Sequence, residues 1–133
     1  ALLLAIARNE SAFEPAVRSR AGALGVMQVM PFHHPGRGAL PGTAHWSQPG
    51  PAIDRGDGLG TENRRRDGGD AYRLLAAYNA GPGAARRWDE QLGGHADRAE
   101  FAAWIGYTET RAYVEKVLID RDVYDWILSG SRD

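Results

Sequence analysis

The amino-acid sequence predicts an all-α fold for one domain covering residues 1–133. Helix-forming residues dominate at the start of the chain, return at residue 70, and continue into a long amphipathic segment near the end. No stretch shows the alternation of polar and apolar residues that is typical of a half-buried strand. We therefore expect a purely helical domain with one modest core.

The composition is that of a soluble globular protein, with 43% hydrophobic and 25% charged residues. A formal net charge of −1 gives no electrostatic reason to expect nucleic acid or an anionic membrane as partner. The absence of cysteine excludes disulfides and thiolate-bound metals. No apolar run reaches the roughly 18 residues that a transmembrane helix needs. We expect a monomer that binds no nucleic acid and has no membrane-spanning segment in this chain.

The first helix is predicted over residues 2–12, because Pro15 prevents its simple continuation. Its apolar residues cover more than one helical face, as in a helix surrounded by others. These residues are Leu2, Leu3, Leu4 and Ile6. The chain starts at Ala1, in the middle of helix-forming sequence, so we interpret it as the C-terminal part of a longer protein.

Three further helices follow from residue 70. Asp70 is a suitable N-cap for "AYRLLAAY", and Pro82 can open the next helix after the break "NAGPG". Residues 108–128 form a long amphipathic helix. One face of it carries Tyr113, Val117, Tyr124 and Leu128. Three tryptophans are expected to pack inside the domain rather than to bind sugars: Trp88, Trp104 and Trp126.

The central segment, residues 32–69, is predicted to be irregular or diverged. It contains nine of the chain's 17 glycines and four of its seven prolines, which break regular structure. We expect it to be the least ordered part of the domain, since so little apolar surface cannot offset the entropy of ordering. Its histidines show no metal-ligand spacing, so we expect no metal and no cofactor. They are His33, His34 and His45.

Glu10 lies on the apolar stripe of the first helix, where a solvated carboxylate is not expected. Leu3, Ile6 and Ala7 precede it on the same face, and Phe13 follows at i+3. A free glutamate has a pKa of about 4.3, and apolar surroundings disfavour the charged form and raise that pKa. Glu10 is therefore a candidate general acid. The alternative is a helix-end glutamate that faces solvent or pairs with a nearby arginine.

Three motifs in order resemble the catalytic domain of the soluble lytic transglycosylases. They are "NESAFEPAVRSRAGALGVMQVMP", "AAYNAGPG" and "YTETRAYVEKVL". The resemblance covers about two thirds of the chain, and the central segment departs from the family pattern. It implies a lysozyme-like (goose-type) helical domain with a substrate groove.

The resemblance implies a peptidoglycan lytic transglycosylase in the cell envelope, periplasmic or otherwise exported. Such an enzyme cleaves the β-1,4 bond between N-acetylmuramic acid and N-acetylglucosamine without hydrolysis and leaves a 1,6-anhydro end. Glu10 would act first as acid and then as base. The substrate-binding residues carried over by motif are Ser19, Met27, Gln28, Tyr78, Asn79 and Glu109.

Each of these binding residues also has an ordinary structural interpretation. Ser19 and Gln28 can cap local backbone, Met27 can belong to the core, and Asn79 can be a helix C-cap beside a half-buried Tyr78. Glu109 can simply be a favourable charge in the first turn of a helix.

Most glycosidases use two carboxylates, and a second one is not evident here. Glu14 lies beyond the expected helix end, and the other acidic candidates are in the central segment: Asp54, Asp57 and Glu62. Two other functions remain open. One is a hydrolytic goose-type muramidase, and the other is an inactive relic that binds the cell wall.

Overall fold

The computed structural model describes residues 1–30 and 70–130, which form five α-helices. They are α1 (Leu2–Ser11), α2 (Ala71–Ala80), α3 (Pro82–Gln91), α4 (Arg98–Trp104) and α5 (Thr108–Ser129). These two ranges contain no strand, only isolated bridges that pair Leu24 with Arg18 and with Val29. The all-α prediction is confirmed. The predicted irregular segment, residues 32–69, lies outside the described residues.

The chain divides into two compact units. The described residues of the first unit are 1–30 and 121–130, and those of the second are 70–120. The single domain expected over residues 1–133 stays a prediction. Within the described ranges, each helix is too short or too polar to cross a membrane.

In the first unit, α1 is covered around most of its circumference. Ala5, Ile6 and Ala7 are at most 3% exposed, and three consecutive helical residues span about 200° of the helix. Leu4 and Arg8, one turn apart, form an exposed edge. Of the four apolar residues behind the prediction of a surrounded helix, only Ile6 is buried, and Leu4 is 38% exposed, so the prediction holds for part of the helix.

In the second unit, each of the first three helices begins at a residue suited to the task. The carboxylate of Asp70 accepts a hydrogen bond from the Tyr72 backbone N–H (2.9 Å), as the sequence predicted. Pro82 occupies the first turn of α3, also as predicted. Asp97 and Glu100 form a reciprocal capping box at the start of α4.

The buried surfaces of these helices form the core of the second unit. Its largest fully buried side chains are Leu74, Leu75, Phe101, Ile105, Val114 and Val117. Trp88 of α3 is also buried and meets Tyr107 edge-on, with ring centroids 5.1 Å apart. Gly106 lies against the same indole, and a Cβ atom there would be 3.0 Å from its Nε1. Tyr107 is thus positioned directly before α5 begins.

Three expectations about apolar residues near the end of the chain are wrong. Trp104 is 51% exposed and Trp126 75% exposed, so only Trp88 of the three tryptophans is a core residue. On the predicted apolar face of α5, Val117 is fully buried but Leu128 is 48% exposed. Periodicity indicates which residues share a face, but not how far along the helix that face remains covered.

Arg73 joins three elements of the second unit. Its guanidinium donates hydrogen bonds to Asp70, to Asp89 (2.7 and 2.9 Å) and to the Ala96 carbonyl (2.8 Å), and it lies 4.6 Å from the centroid of the Phe101 ring. Burial acts to lower the pKa of Arg73, but its hydrogen bonds to the two carboxylates outweigh this, so the pKa is raised. The guanidinium remains charged and holds α2, α3 and the turn before α4 together.

We predict that Arg73→Ala lowers the free energy of unfolding by about 2–4 kcal/mol, because it leaves two partly buried carboxylates without their partner. Arg73→Lys should recover only part of the lost free energy of unfolding, since one ammonium group cannot reproduce the several planar N–H donors of the guanidinium. Urea unfolding measures both changes. The matched control is Arg86→Ala, at an exposed position of α3, which should change stability by less than about 0.5 kcal/mol. Equal effects at the two arginines would contradict the assigned role of Arg73.

Candidate active site

Glu10 is the last residue but one of α1, and it is partly buried. Helix α1 ends at Ser11, because Ala12 adopts the left-handed conformation (φ 52°, ψ 34°) and its N–H donates to the Arg8 carbonyl (2.9 Å). The carboxyl group is therefore attached to the final turn of a helix, where the backbone carbonyls carry the negative end of the helix dipole.

The serine beside Glu10 fixes that helix end to the following loop. Its hydroxyl lies 2.9 Å from the Val26 carbonyl oxygen, with which it hydrogen-bonds, and 3.2 Å from the Ala7 carbonyl oxygen one turn back. Val26 is 3% exposed, so its carbonyl has little access to water as an alternative partner. This contact brings the end of α1 next to the segment that carries Met27 and Gln28.

The loop that follows α1 has an unusual backbone. Among the described residues, three non-glycine residues have positive φ, and all three lie in this part of the chain: Ala12 (52°), Phe13 (67°) and Gln28 (45°). Such conformations cost of order 1–3 kcal/mol each and are concentrated at functional sites. Their position after the candidate acid is an independent reason to place function in this unit.

The surroundings of Glu10 agree only in part with the predicted stripe. Ile6 and Ala7, at i−4 and i−3, are buried. Phe13 does not continue the stripe, because it lies beyond the helix end with positive φ, is 40% exposed and meets the Tyr124 ring edge-on at 6.5 Å. The helical spacing of i+3 fails for Phe13 because the helix has already ended.

Glu14 lies beyond the end of α1, as the sequence predicts. It is exposed and accepts a 3.4 Å hydrogen bond from the Ala16 backbone N–H. The other acidic candidates of the central segment (Asp54, Asp57 and Glu62) lie outside the described residues.

The three candidate binding residues of the first unit have mainly structural contacts. The Ser19 hydroxyl accepts a hydrogen bond from the Ala23 N–H (2.9 Å), which is the backbone cap named as its alternative. Met27 is fully buried, and its burial supports the core interpretation. The Gln28 Nε2 donates to the Val17 and Gly25 carbonyls (3.1 and 2.9 Å). The two hydrogen bonds from Nε2 fix the orientation of the Gln28 amide. Its side-chain oxygen can therefore accept a hydrogen bond from a hydroxyl group.

The other three candidates belong to the second unit. Tyr78 is partly buried in the last turn of α2, and Asn79 beside it is exposed. Asn79 is not a C-cap, because it lies inside the helix and the cap is Gly81 (φ 89°). Glu109 is exposed in the first turn of α5, as its structural interpretation requires.

Thr110 is a buried polar residue of the second unit that contacts the candidate Asn79. It is 2% exposed, and its hydroxyl donates a 2.7 Å hydrogen bond to the Asn79 side-chain oxygen. The sequence contained a signal for it, because Thr110 occupies the apolar stripe of α5 at i−4 from Val114 and i−7 from Val117. A hydroxyl on such a stripe calls for a specific partner.

The described ranges, 1–30 and 70–130, hold no cluster of three histidine or acidic side chains able to bind a metal ion. The three histidines weighed as metal ligands in the sequence lie outside those ranges.

The five helices of the described residues agree with the lysozyme-like helical fold that the three motifs imply. Residues 1–101 match the family described as the transglycosylase SLT domain. The chain therefore belongs to this family, and the resemblance found in its three motifs is confirmed.

The relatives are much longer proteins. The soluble lytic murein transglycosylase of Escherichia coli (strain K12) is 39% identical over 124 residues, which cover 86% of this chain and 19% of that protein. The crystal structure of the 70 kDa soluble lytic transglycosylase from Escherichia coli matches 96% of the chain and 22% of its own, with a TM-score of 0.83 and 34% identity. An inactive Glu-to-Gln variant of lytic transglycosylase Slt from Pseudomonas aeruginosa gives a TM-score of 0.79 at 31% identity and the same coverage. The chain thus spans about a fifth of these relatives.

We predict that Ser11→Ala lowers the free energy of unfolding by about 1–3 kcal/mol, because the buried Val26 carbonyl loses its hydrogen bond. Ser129→Ala is the matched control. It removes a serine hydroxyl bonded to the Trp126 carbonyl (2.9 Å) at an exposed helix end, where water can replace it, so stability should change by less than about 0.5 kcal/mol. Urea unfolding of the two variants tests the difference, and equal losses would refute a special role for the Ser11 contact.

Proposed function

We propose that this chain is the catalytic domain of a peptidoglycan lytic transglycosylase of the bacterial cell envelope. It cleaves the β-1,4 bond between N-acetylmuramic acid and N-acetylglucosamine and leaves a 1,6-anhydro end. Membership of the SLT family and the names of the relatives support this activity. The observation that carries it is the placing of Glu10 on a helix end fixed by Ser11 and followed by strained backbone.

The position of Glu10 suits a group that must donate a proton. Ile6 and Ala7 beside it are buried, and Glu10 lies in the last turn of α1. A glycosidic oxygen is a poor leaving group until it is protonated, so a carboxylic acid held in this way suits the first step.

The first step transfers the Glu10 proton to the glycosidic oxygen as the bond from that oxygen to C1 of the muramic sugar breaks. The carbonyl oxygen of that sugar's N-acetyl group stabilises the positive centre at C1. In the second step the Glu10 carboxylate takes the proton from the C6 hydroxyl, and O6 bonds to C1 to close the anhydro ring. Glu10 ends as it began, and no water is consumed.

One carboxylate is sufficient for this sequence of steps. An intramolecular hydroxyl is already placed beside C1, so it benefits from a high effective concentration and needs no base to hold a water. In residues 1–30 the other carboxylate is Glu14, which is exposed and engaged in a turn. This scarcity favours attack by the C6 hydroxyl over the two-carboxylate hydrolysis that most glycosidases use.

The binding residues are assigned more narrowly than their motifs suggested. The Gln28 amide oxygen accepts from a sugar hydroxyl, while its nitrogen holds the loop. Asn79 and Glu109 are exposed and available to substrate, and Tyr78 is partly buried beside Asn79. The Ser19 oxygen caps the loop backbone, and its hydroxyl proton donates to a sugar oxygen. Met27 packs in the core and does not contact the glycan.

We predict that Glu10→Gln abolishes detectable release of anhydromuropeptides while folding and glycan binding persist. Glutamine keeps the size of the side chain but cannot donate and accept the proton, and general acid–base catalysis is worth about 10²–10⁴-fold for each group. In the Pseudomonas aeruginosa relative, the replacement of one glutamate by glutamine gives an inactive enzyme, so a single carboxyl group is essential there. Mass analysis of fragments released from purified peptidoglycan measures the loss.

Glu14→Gln is the control, because it makes the same change four residues along the chain, and its activity should stay within about threefold of the parent. Equal fragment release by the Glu10→Gln variant and the parent would remove Glu10 from the mechanism. A parent that binds peptidoglycan and releases nothing would favour a binding module instead.

A further inference from the structure

The Thr110 hydroxyl is placed where packing alone would favour a methyl group. Thr110 is the one polar or charged side chain classed as buried in residues 1–30 and 70–130, and it shares its helix stripe with Val114 and Val117. Valine has nearly the same shape as threonine and would bury no polar atom there. The hydroxyl therefore calls for an explanation beyond stability.

The hydrogen-bond partner of the Thr110 hydroxyl gives that explanation. The hydroxyl donates to the side-chain oxygen of Asn79 (2.7 Å), and Asn79 is itself exposed. An exposed amide can rotate and offer either its oxygen or its nitrogen to a ligand. Once the oxygen is bonded to a buried hydroxyl, the amide has one orientation, and its Nδ2 group is left as a pair of donors. In the described part of the chain no acceptor is hydrogen-bonded to that nitrogen.

We propose that Thr110 is a positioning residue, which orients Asn79 so that the Nδ2 group donates to the carbonyl oxygen of an N-acetyl group on the glycan. This inference rests on the proposed function and adds a basis for substrate choice. A fixed donor favours an N-acetylated sugar, whose acetamido carbonyl is an acceptor. It gives no such advantage to a de-N-acetylated sugar, which presents an ammonium group at the same place.

The test compares N-acetylglucosamine oligomers with the same oligomers after de-N-acetylation, with dissociation constants measured by calorimetry. Thr110→Val should weaken binding of the acetylated oligomer by about 2- to 12-fold, the range for one hydrogen bond of ordinary strength. Binding of the de-N-acetylated oligomer should not change. Thr110→Ser restores the hydroxyl and should stay within about twofold of the parent. Thr108→Val, at an exposed threonine of the same helix, is the matched control and should bind both oligomers as the parent does.

On peptidoglycan, Thr110→Val should raise KM and leave kcat within about twofold, because binding is affected and proton transfer is not. A merely structural role would lower the active fraction and affect both oligomers alike. If the valine variant does not fold, Asn79→Ala removes the amide from an exposed position and must show the same loss confined to the acetylated oligomer.

The outcomes separate this inference from the proposed function. Suppose that the parent cleaves peptidoglycan and that Thr110→Val either binds both oligomers as the parent does or loses affinity for both equally. This result overturns the role of Thr110 and leaves the proposed activity in place. Suppose instead that the parent binds the oligomers but does not cleave peptidoglycan, and that Thr110→Val loses affinity only for the acetylated oligomer. This result overturns the proposed activity and supports the role of Thr110. A parent that binds neither oligomer and cleaves nothing overturns both.

Discussion

The hydrogen bond from the Ser11 hydroxyl to the Val26 carbonyl is the constraint on which the candidate active site depends. It links the last turn of α1 to a residue 15 positions further along the chain. Glu10 precedes this link directly, so its backbone is fixed on both sides. Catalysis by one carboxyl group that must both give and take a proton requires such a fixed position, because small displacements of a reacting group are costly.

The strained loop after α1 is held by its own polar side chains. The Ser19 hydroxyl caps the backbone at Ala23. The side-chain amide of Gln28 donates to two carbonyls of the loop, and the Gln28 backbone has a positive φ. Residues that the family motif marks as functional therefore act here first as supports. The second unit repeats this pattern in the pair Thr110 and Asn79, where a buried hydroxyl holds an exposed amide.

Much of the fold could be predicted from the sequence, because helix ends depend on local chemistry. The Asp70 cap and the proline that opens α3 were identified from residue type and position, and both are present. The expected position of Phe13 is wrong because the left-handed turn at Ala12 ends the helix at Ser11, two residues before Phe13, so helical spacing no longer holds. Exposure of Trp104 and Trp126 depends on which elements cover them, and that information is not local.

The sequence names candidate residues for the site, but it does not predict their contacts. The motifs indicated Asn79 and Glu109, yet the bond from Thr110 to Asn79 joins residues 31 positions apart. Helical periodicity shows that Thr110 lies on the buried stripe, but no local pattern indicates which acceptor its hydroxyl reaches. Long-range hydrogen bonds of this kind follow from packing, which the sequence specifies only through the whole fold.

The central claim is that the second step uses the sugar's own C6 hydroxyl rather than water. Digestion of purified peptidoglycan in water enriched in heavy oxygen tests this directly, because hydrolysis places one solvent oxygen atom at C1 of each new muramic end and ring closure places none. The account predicts fragments that carry no heavy oxygen and are lighter than the hydrolytic products by one water. Fragments with one heavy oxygen atom at C1 of the muramic sugar would contradict it and identify a muramidase.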